Sequence, residues 1–283
     1  MRKDGVRRLL IRPGAIGDCI LSFPALQYLR AEFTEVWIPS AVVPLIHFAN
    51  SVRPLAATGI DMVGIGDLET PEYVRRKLLA FDSIVSWYGA NRTEFREALQ
   101  ALGVPCTFHA ALPPSGYGGH AIDFFAGQVG APEGLVPRIE TNLVRRRESV
   151  ILHPFSGSVR KNWPLCFFRQ LAARLRYDVE WTAGPEDDLP EATRFDNLAE
   201  LAGWIAGARL YIGNDSGITH LAAVTGVPTL ALFGPASMDT WMPRGPNVVV
   251  VRADTLESLS VATVLDAANR LLDSPQKPVS SEQ

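Results

Sequence analysis

Cysteine is scarce in this chain of 283 residues: Cys19, Cys106 and Cys166 are far apart, and no two stand in a Cys-x-x-Cys pair. An odd, scattered set gives neither a disulfide framework nor a thiolate zinc site, and it fits a reducing compartment. Long apolar runs are also missing. Those near the N-terminus are broken by Arg12 and Asp18, and none approaches the roughly 20 residues needed to cross a bilayer. Neither a signal peptide nor a membrane span is expected. There is no excess of one charge, since the net value is -3, so a general polyanion binder is excluded and nucleic acid is not an expected partner. Repeats and low-complexity blocks are absent. Lysine is rare, at Lys3, Lys77, Lys161 and Lys277, because the chain uses arginine for most of its cations.

What remains is an ordinary globular composition, 47% hydrophobic and 20% charged. The length predicts two domains. Apolar runs and helical periods alternate along the chain. Strands are expected at 6–11, 35–38, 61–65, 81–87, 104–110, 149–153, 178–182, 229–233 and 248–251, with a further one entering at Tyr211. Helices are expected after Asp18 and at 41–49, 71–79, 92–102, 120–129, 165–175, 199–206 and 256–272. Such alternation predicts a doubly wound parallel sheet in each half. The pattern lapses over 130–147, a linker ending in Arg145, Arg146 and Arg147, which reads as a solvated connection or as a basic rim for an anionic substrate. The domains are therefore placed at 1–145 and 146–283, with a disordered polar tail over 274–283.

Three turns carry chemistry. The first runs from Arg12 through Gly14, Gly17 and Asp18; Gly-x-x-Gly-Asp lacks the opening Gly-x-Gly of a dinucleotide fingerprint. Asp18 opens a helix at the carboxyl end of the first strand, where a carboxylate either caps the helix or faces a ligand. The second turn holds Ser156, Gly157, Arg160 and Lys161 between a strand and a helix, a composition able to hold phosphate oxygens. The third is Gly213-Asn214-Asp215-Ser216-Gly217, leading to His220. Here a helix N-terminus offers free N–H groups to a pyrophosphate, although Asp215 or Ser216 could equally be a plain cap. After the strand ending near Thr182, Glu186, Asp187 and Asp188 are acidic candidates for ribose hydroxyls, Glu186 foremost. No acidic cluster calls for a metal.

Arg12-Pro13-Gly14-Ala15-Ile16-Gly17-Asp18 with Ser22 to Leu26, then Lys161-Asn162-Trp163-Pro164, then Gly213 to Pro235, in that order, are similar to the signatures of the heptosyltransferases, glycosyltransferase family 9. The resemblance implies a GT-B architecture, two Rossmann-like domains facing an interdomain cleft, with the acceptor on the N-terminal domain and the donor on the C-terminal one. It implies inverting transfer of a heptose from an ADP-activated donor to a lipopolysaccharide-core-type saccharide or glycolipid, with no cofactor and no metal. In that picture Asp18 is the catalytic base, and Gly14 and Gly17 shape the acceptor-side loop. Lys161 stabilises the departing diphosphate, and Asp215 contacts the donor sugar. Ser156, Ser216, Gly217 and His220 complete the donor site, and the last helix, 255–273, packs back on the first domain. A cytoplasmic location follows, with peripheral inner-membrane contact left open by the basic N-terminus (Arg2, Lys3, Arg7, Arg8). A nucleotide-sugar epimerase and a non-catalytic nucleotide-sugar binder stand as alternatives on the same scaffold.

Overall fold

A computed structural model describes residues 5–66, 69–141, 145–234 and 238–274. Arg2, Lys3, Pro235 and the tail beyond 274 lie outside the described residues. The chain divides into two compact units, Met1–Leu135 and Val136–Gln283, and the division falls within the stretch read as a linker.

The first unit is a five-stranded parallel sheet built from β1 (Arg7–Ile11), β2 (Phe33–Ile38), β3 (Ser51–Pro54), β4 (Ser83–Ser86) and β5 (Cys106–Phe108), in the order β3-β2-β1-β4-β5. Its helices are α1 (Ile16–Tyr28), α2 (Glu72–Leu78), α3 (Thr93–Gln100) and α4 (Ala121–Gln128). Leu9, Leu10 and Ile11 are all fully buried, as expected of a central parallel strand covered on both faces. The carboxyl edge is level: the N–H groups of Arg12, Trp87 and His109 donate to the carbonyls of Trp37, Ile11 and Ser86 at 2.9, 2.9 and 3.0 Å. These residues, each one step beyond β1, β4 and β5, therefore sit side by side.

Two expectations in this unit are corrected. The helix expected over 41–49 is a 3-10 turn, Ser40–Leu45, because Pro44 removes the N–H that a second helical turn would need. The strand expected over 61–65 is a turn at Ile60–Met62, bracketed by Gly59 and Gly64 at positive φ; the third strand is Ser51–Pro54.

The second unit is also parallel: β6 (Ser149–His153), β7 (Asp178–Trp181), β8 (Leu210–Asn214), β9 (Thr229–Phe233) and β10 (Val248–Arg252), in the order β10-β9-β8-β6-β7. The strand order reverses between β6 and β8, the switch point at whose carboxyl side ligands of open α/β sheets bind. The helices are α5 (Leu165–Ala172), α6 (Leu198–Ala206), α7 (Gly217–Thr225), α8 (Met238–Trp241) and α9 (Val261–Asp273). The helix expected over 256–272 is split into a 3-10 turn, Leu256–Ser258, and α9, where Ser260 caps the Thr263 N–H at 3.1 Å. α9 buries Val264, Ala268 and Leu272 in the core of this unit, with Trp163, Phe168 and Leu210. Arg147 is no solvated connection: its guanidinium pairs with Glu180 at 3.1 Å and donates to the Trp204 carbonyl at 2.8 Å, fastening the start of the unit to its sheet and α6.

Candidate functional site

In the second unit the switch point brings two of the predicted turns together. β8 ends in Asn214, which is fully buried and spends both ends of its amide on the neighbouring loop. Its Oδ1 accepts from the Trp163 N–H at 3.0 Å and its Nδ2 donates to the Pro154 carbonyl at 2.7 Å. The loop after β6 is thereby held against the loop after β8. Trp163 is itself buried, with its indole N–H on the Leu259 carbonyl at 2.9 Å.

On that frame Lys161 Nζ lies 2.7 Å from Asp215 Oδ2, an ion pair by distance whose angles fall outside those of a hydrogen bond. Asp215 is buried and Lys161 half-exposed, so the cation faces solvent with its counter-charge beneath it. Ser216 caps α7: its Oγ accepts from the Thr219 N–H at 3.3 Å, while Thr219 Oγ1 donates to the Asn214 carbonyl. Gly217 and Ile218 open α7 two and three residues after Asp215, and the N–H groups of a helix's first turn have no partner within the helix, which suits an anion. His220 is buried one turn in. Gly213 lets this packing happen, because a Cβ there would come within 2.6 Å of the Tyr211 hydroxyl and 2.9 Å of Thr219 Oγ1.

The other predicted residues stand apart. Ser156 Oγ lies 2.7 Å from Asn162 Oδ1 and 2.8 Å from the Ser158 carbonyl, so its hydroxyl shapes the loop that presents Lys161. Glu186 is exposed in the loop after β7, and among the described residues no hydrogen bond or ion pair joins it to the others. Its neighbour Asp187 is occupied by the Gly184 N–H at 2.7 Å. His153, at the end of β6, places Nδ1 3.0 Å from the Thr182 carbonyl; burial lowers its pKa, against the opposing pull of that bond and of Asp187.

In the first unit Asp18 is the third residue of α1, and its Oδ2 accepts from the Ala15 N–H at 3.2 Å. Asp18 is only partly buried, so its capping role does not close it off from a ligand. Gly14 has φ 129°, and a Cβ there would sit 3.4 Å from Asp18 Oδ2. Gly17 is buried in the first turn of α1.

Sequence reasoning missed Arg12, which is fully buried under this loop. Its guanidinium donates to Ser22 Oγ at 2.9 Å and to the carbonyls of Pro13 at 2.7 Å, Asp18 at 2.9 Å and Ala111 at 3.1 Å, and it lies over the Phe125 ring. Burial lowers its pKa, which Cys19 and Asp18 partly offset; the Cys19 thiol is pushed up to about 12 by burial. The one available signal was an arginine interrupting an apolar run where a strand ends.

Residues 136–265, which lie wholly within the second unit, match one protein family. That family is glycosyltransferase family 9 (heptosyltransferase). The family 9 resemblance read from the three motifs is borne out, and nothing in the similarities favours an epimerase or a non-catalytic binder. Lipopolysaccharide heptosyltransferase 1 of Pseudomonas aeruginosa is 35% identical over 94 residues, 28% of this chain and 26% of that protein. Alignments to such relatives span between 26% and 41% of their length.

Among solved structures, the Escherichia coli ADP-heptose LPS heptosyltransferase II has a TM-score of 0.73 at 18% identity, covering 94% of this chain and 98% of that one. The Escherichia coli TibC, described as an iron-containing dodecameric glycosyltransferase, has a TM-score of 0.63 at 14% identity, covering 95% and 76%. At such identities the likeness establishes a shared fold, and the GT-B class expected from the sequence is the one found. No helix among the described residues is long and apolar enough to cross a membrane.

Proposed function

We propose that the protein is an inverting glycosyltransferase that moves a sugar, a heptose in the first instance, from an ADP-activated donor to a lipopolysaccharide-core-type saccharide or glycolipid acceptor. The observation that carries this reading is the half-exposed Lys161 held on buried Asp215 beside the N-terminus of α7, within the stretch that matches family 9. A cation and a helix N-terminus at one place offer stabilisation to a diphosphate as negative charge grows on it.

In this mechanism the acceptor hydroxyl attacks the anomeric carbon on the face opposite the diphosphate. Its proton passes to the Asp18 carboxylate, the bond from carbon to diphosphate oxygen breaks, and the electron pair leaves with ADP. The new glycosidic bond then has inverted configuration. Asp215 holds donor-sugar hydroxyls, and Glu186 is the candidate for the ribose. The reaction as proposed needs no metal and takes place on the cytoplasmic side, with peripheral contact at the inner membrane where the acceptor is a glycolipid.

Calorimetric titration with ADP, UDP and GDP, with and without EDTA and on Lys161→Ala, tests the reading. Selective ADP binding that survives EDTA and weakens in the variant is expected. Selectivity for UDP or GDP would overturn the ADP-heptose donor, loss in EDTA would overturn metal independence, and absence of nucleotide binding would return these turns to the status of helix caps.

A further inference from the structure

Arg194 is exposed and makes no ion pair among the described residues; its guanidinium is spent on main-chain carbonyls of the loop after β7. Nε donates to Gly184 at 3.3 Å, Nη2 to Asp187 at 2.8 Å and to Leu189 at 3.0 Å, and Nη1 to Ala192 at 3.2 Å. Carbonyls spread from Gly184 to Ala192 thus converge on one cation.

The turn inside that clasp is the one that carries Glu186. The Asp187 N–H donates to the Gly184 carbonyl at 3.3 Å, which closes a tight turn with Pro185 and Glu186 at its centre. Pro185 has its φ fixed by its ring, as suits the first central place of such a turn. The Asp187 carboxylate accepts from the Gly184 N–H at 2.7 Å and closes the turn a second time. Arg194 then holds both closing residues, through the carbonyls of Gly184 and Asp187. Asp187 is consumed by this fastening, whereas Glu186 is exposed and joined to no partner among the described residues.

The loop as a whole is seated on the sheet. The Thr193 N–H donates to the Trp181 carbonyl at 2.8 Å, Thr182 Oγ1 donates to the Thr193 carbonyl at 3.0 Å, and Leu189 is fully buried. The Thr182 N–H donates to the Leu152 carbonyl at 3.0 Å, so the loop leaves the carboxyl edge next to the end of β6, whose own loop carries Lys161. A surface arginine that orders a segment in this way loses much side-chain entropy and gains little burial. What the arrangement yields is one carboxylate on a rigid turn, which reduces the ordering entropy lost when a ligand binds to it.

We propose that Arg194 is a positioning residue for the nucleoside half of the donor: it fixes the Gly184–Asp187 turn so that the Glu186 carboxylate receives the ribose hydroxyls. The assignment rests on the transferase reading, and adds to it the residue that pre-sets the sugar contact and a preference for ribose over 2′-deoxyribose.

The test is calorimetric titration of the full chain with ADP, 2′-deoxy-ADP and inorganic pyrophosphate. The parent is expected to bind ADP about tenfold more tightly than 2′-deoxy-ADP, the discrimination of one hydrogen bond to a charged group. Arg194→Ala brings that ratio towards one and leaves pyrophosphate affinity unchanged, because Lys161 and the start of α7 are untouched. Arg194→Lys behaves like Arg194→Ala, since a single ammonium cannot replace a planar fork of N–H donors. Glu186→Gln itself lowers the ratio, and on that background Arg194→Ala lowers it no further. A ratio kept in Arg194→Ala or restored in Arg194→Lys, a parallel loss of pyrophosphate affinity, or additive effects of the two substitutions overturns the positioning role. If the parent does not discriminate, or Glu186→Gln leaves the ratio unchanged, the ribose contact of Glu186 falls and the role of Arg194 with it. Failure of the parent to bind either nucleotide removes the reading beneath both.

Discussion

Lys161 Nζ and Asp215 Oδ2 lie 2.7 Å apart, joining the loops that follow β6 and β8. The pair sets an attraction against a cost, because the carboxylate that positions the lysine also repels a bound diphosphate. Half of the lysine is in solvent, so screening limits the pair to about 1 kcal/mol. Asp215→Asn is expected to leave ADP affinity unchanged or raise it by about fivefold, the equivalent of that energy, while transfer from an ADP-sugar falls because donor hydroxyls lose a charged acceptor. Calorimetry beside a transfer assay separates the two. Weakened ADP binding would instead make Asp215 chiefly the support of Lys161.

Asp18 accepts one N–H bond from Ala15 and is only partly buried. Asn at this position preserves the acceptor oxygen and removes the base. Asp18→Asn is therefore expected to keep the folded stability and ADP affinity of the parent and to lose at least about a hundredfold in turnover, the low end of what general-base catalysis contributes. A variant that turns over at the parent rate would remove Asp18 from the chemistry.

Gly14 is the residue on which the Asp18 carboxylate leans. At φ 129° a side chain is strained, and its Cβ would sit 3.2 Å from Asp18 Cβ. Gly14→Ala is expected to cost about 1–3 kcal/mol in urea unfolding, the range for a residue forced into such backbone geometry. Turnover should fall further than that loss of stability explains, because the carboxylate is displaced.

Most of the second sheet was readable because β6, β9 and β10 are largely apolar runs, although β7 carries Asp178 and Glu180; Thr229–Phe233 is buried throughout and was placed to the residue. β3 was not, since Ser51, Arg53 and Pro54 carry no apolar pattern and Pro54 argues against a strand. The turn at 213–220 was legible as a strand-turn-helix junction, and Lys161 stood out by the rarity of lysine. Arg12 and a cavity in the first unit, lined among others by Trp87, Arg96 and His109, were hidden for a different reason. Those three come from separate segments, and only the level ends of β4 and β5 bring them together. Local spacing cannot report a meeting made by sheet register.

His153 gives a pH dependence with a definite sign. Burial holds its folded pKa below the ordinary value, so the unfolded chain takes up a proton first as pH falls. Stability is complete above the unfolded pKa of about 6.5 and is lost as pH drops below it. His109 is shifted in the same direction. The melting temperature is expected to fall between about pH 7.5 and about pH 5.5, and His153→Gln should flatten the slope. A slope unchanged in the variant would assign the effect to other groups.

Asn214 offers the sharpest test of how the donor loops are held. Its amide satisfies the Trp163 N–H and the Pro154 carbonyl, both on the loop that carries Lys161. Asn214→Ala strips both partners from a fully buried place, and an unsatisfied buried group costs about 1–3 kcal/mol. A loss of about 2–4 kcal/mol in urea unfolding is expected, with weaker ADP binding as the Lys161 loop loosens. Asn214→Asp discriminates polarity from packing. It keeps the volume and the acceptor for Trp163, but turns a second carboxylate oxygen towards the Pro154 carbonyl and buries a charge with no cation against it. If hydrogen bonding is what Asn214 supplies, Asp is the worse substitution despite its shape; if filling space is what matters, Asp is the milder one.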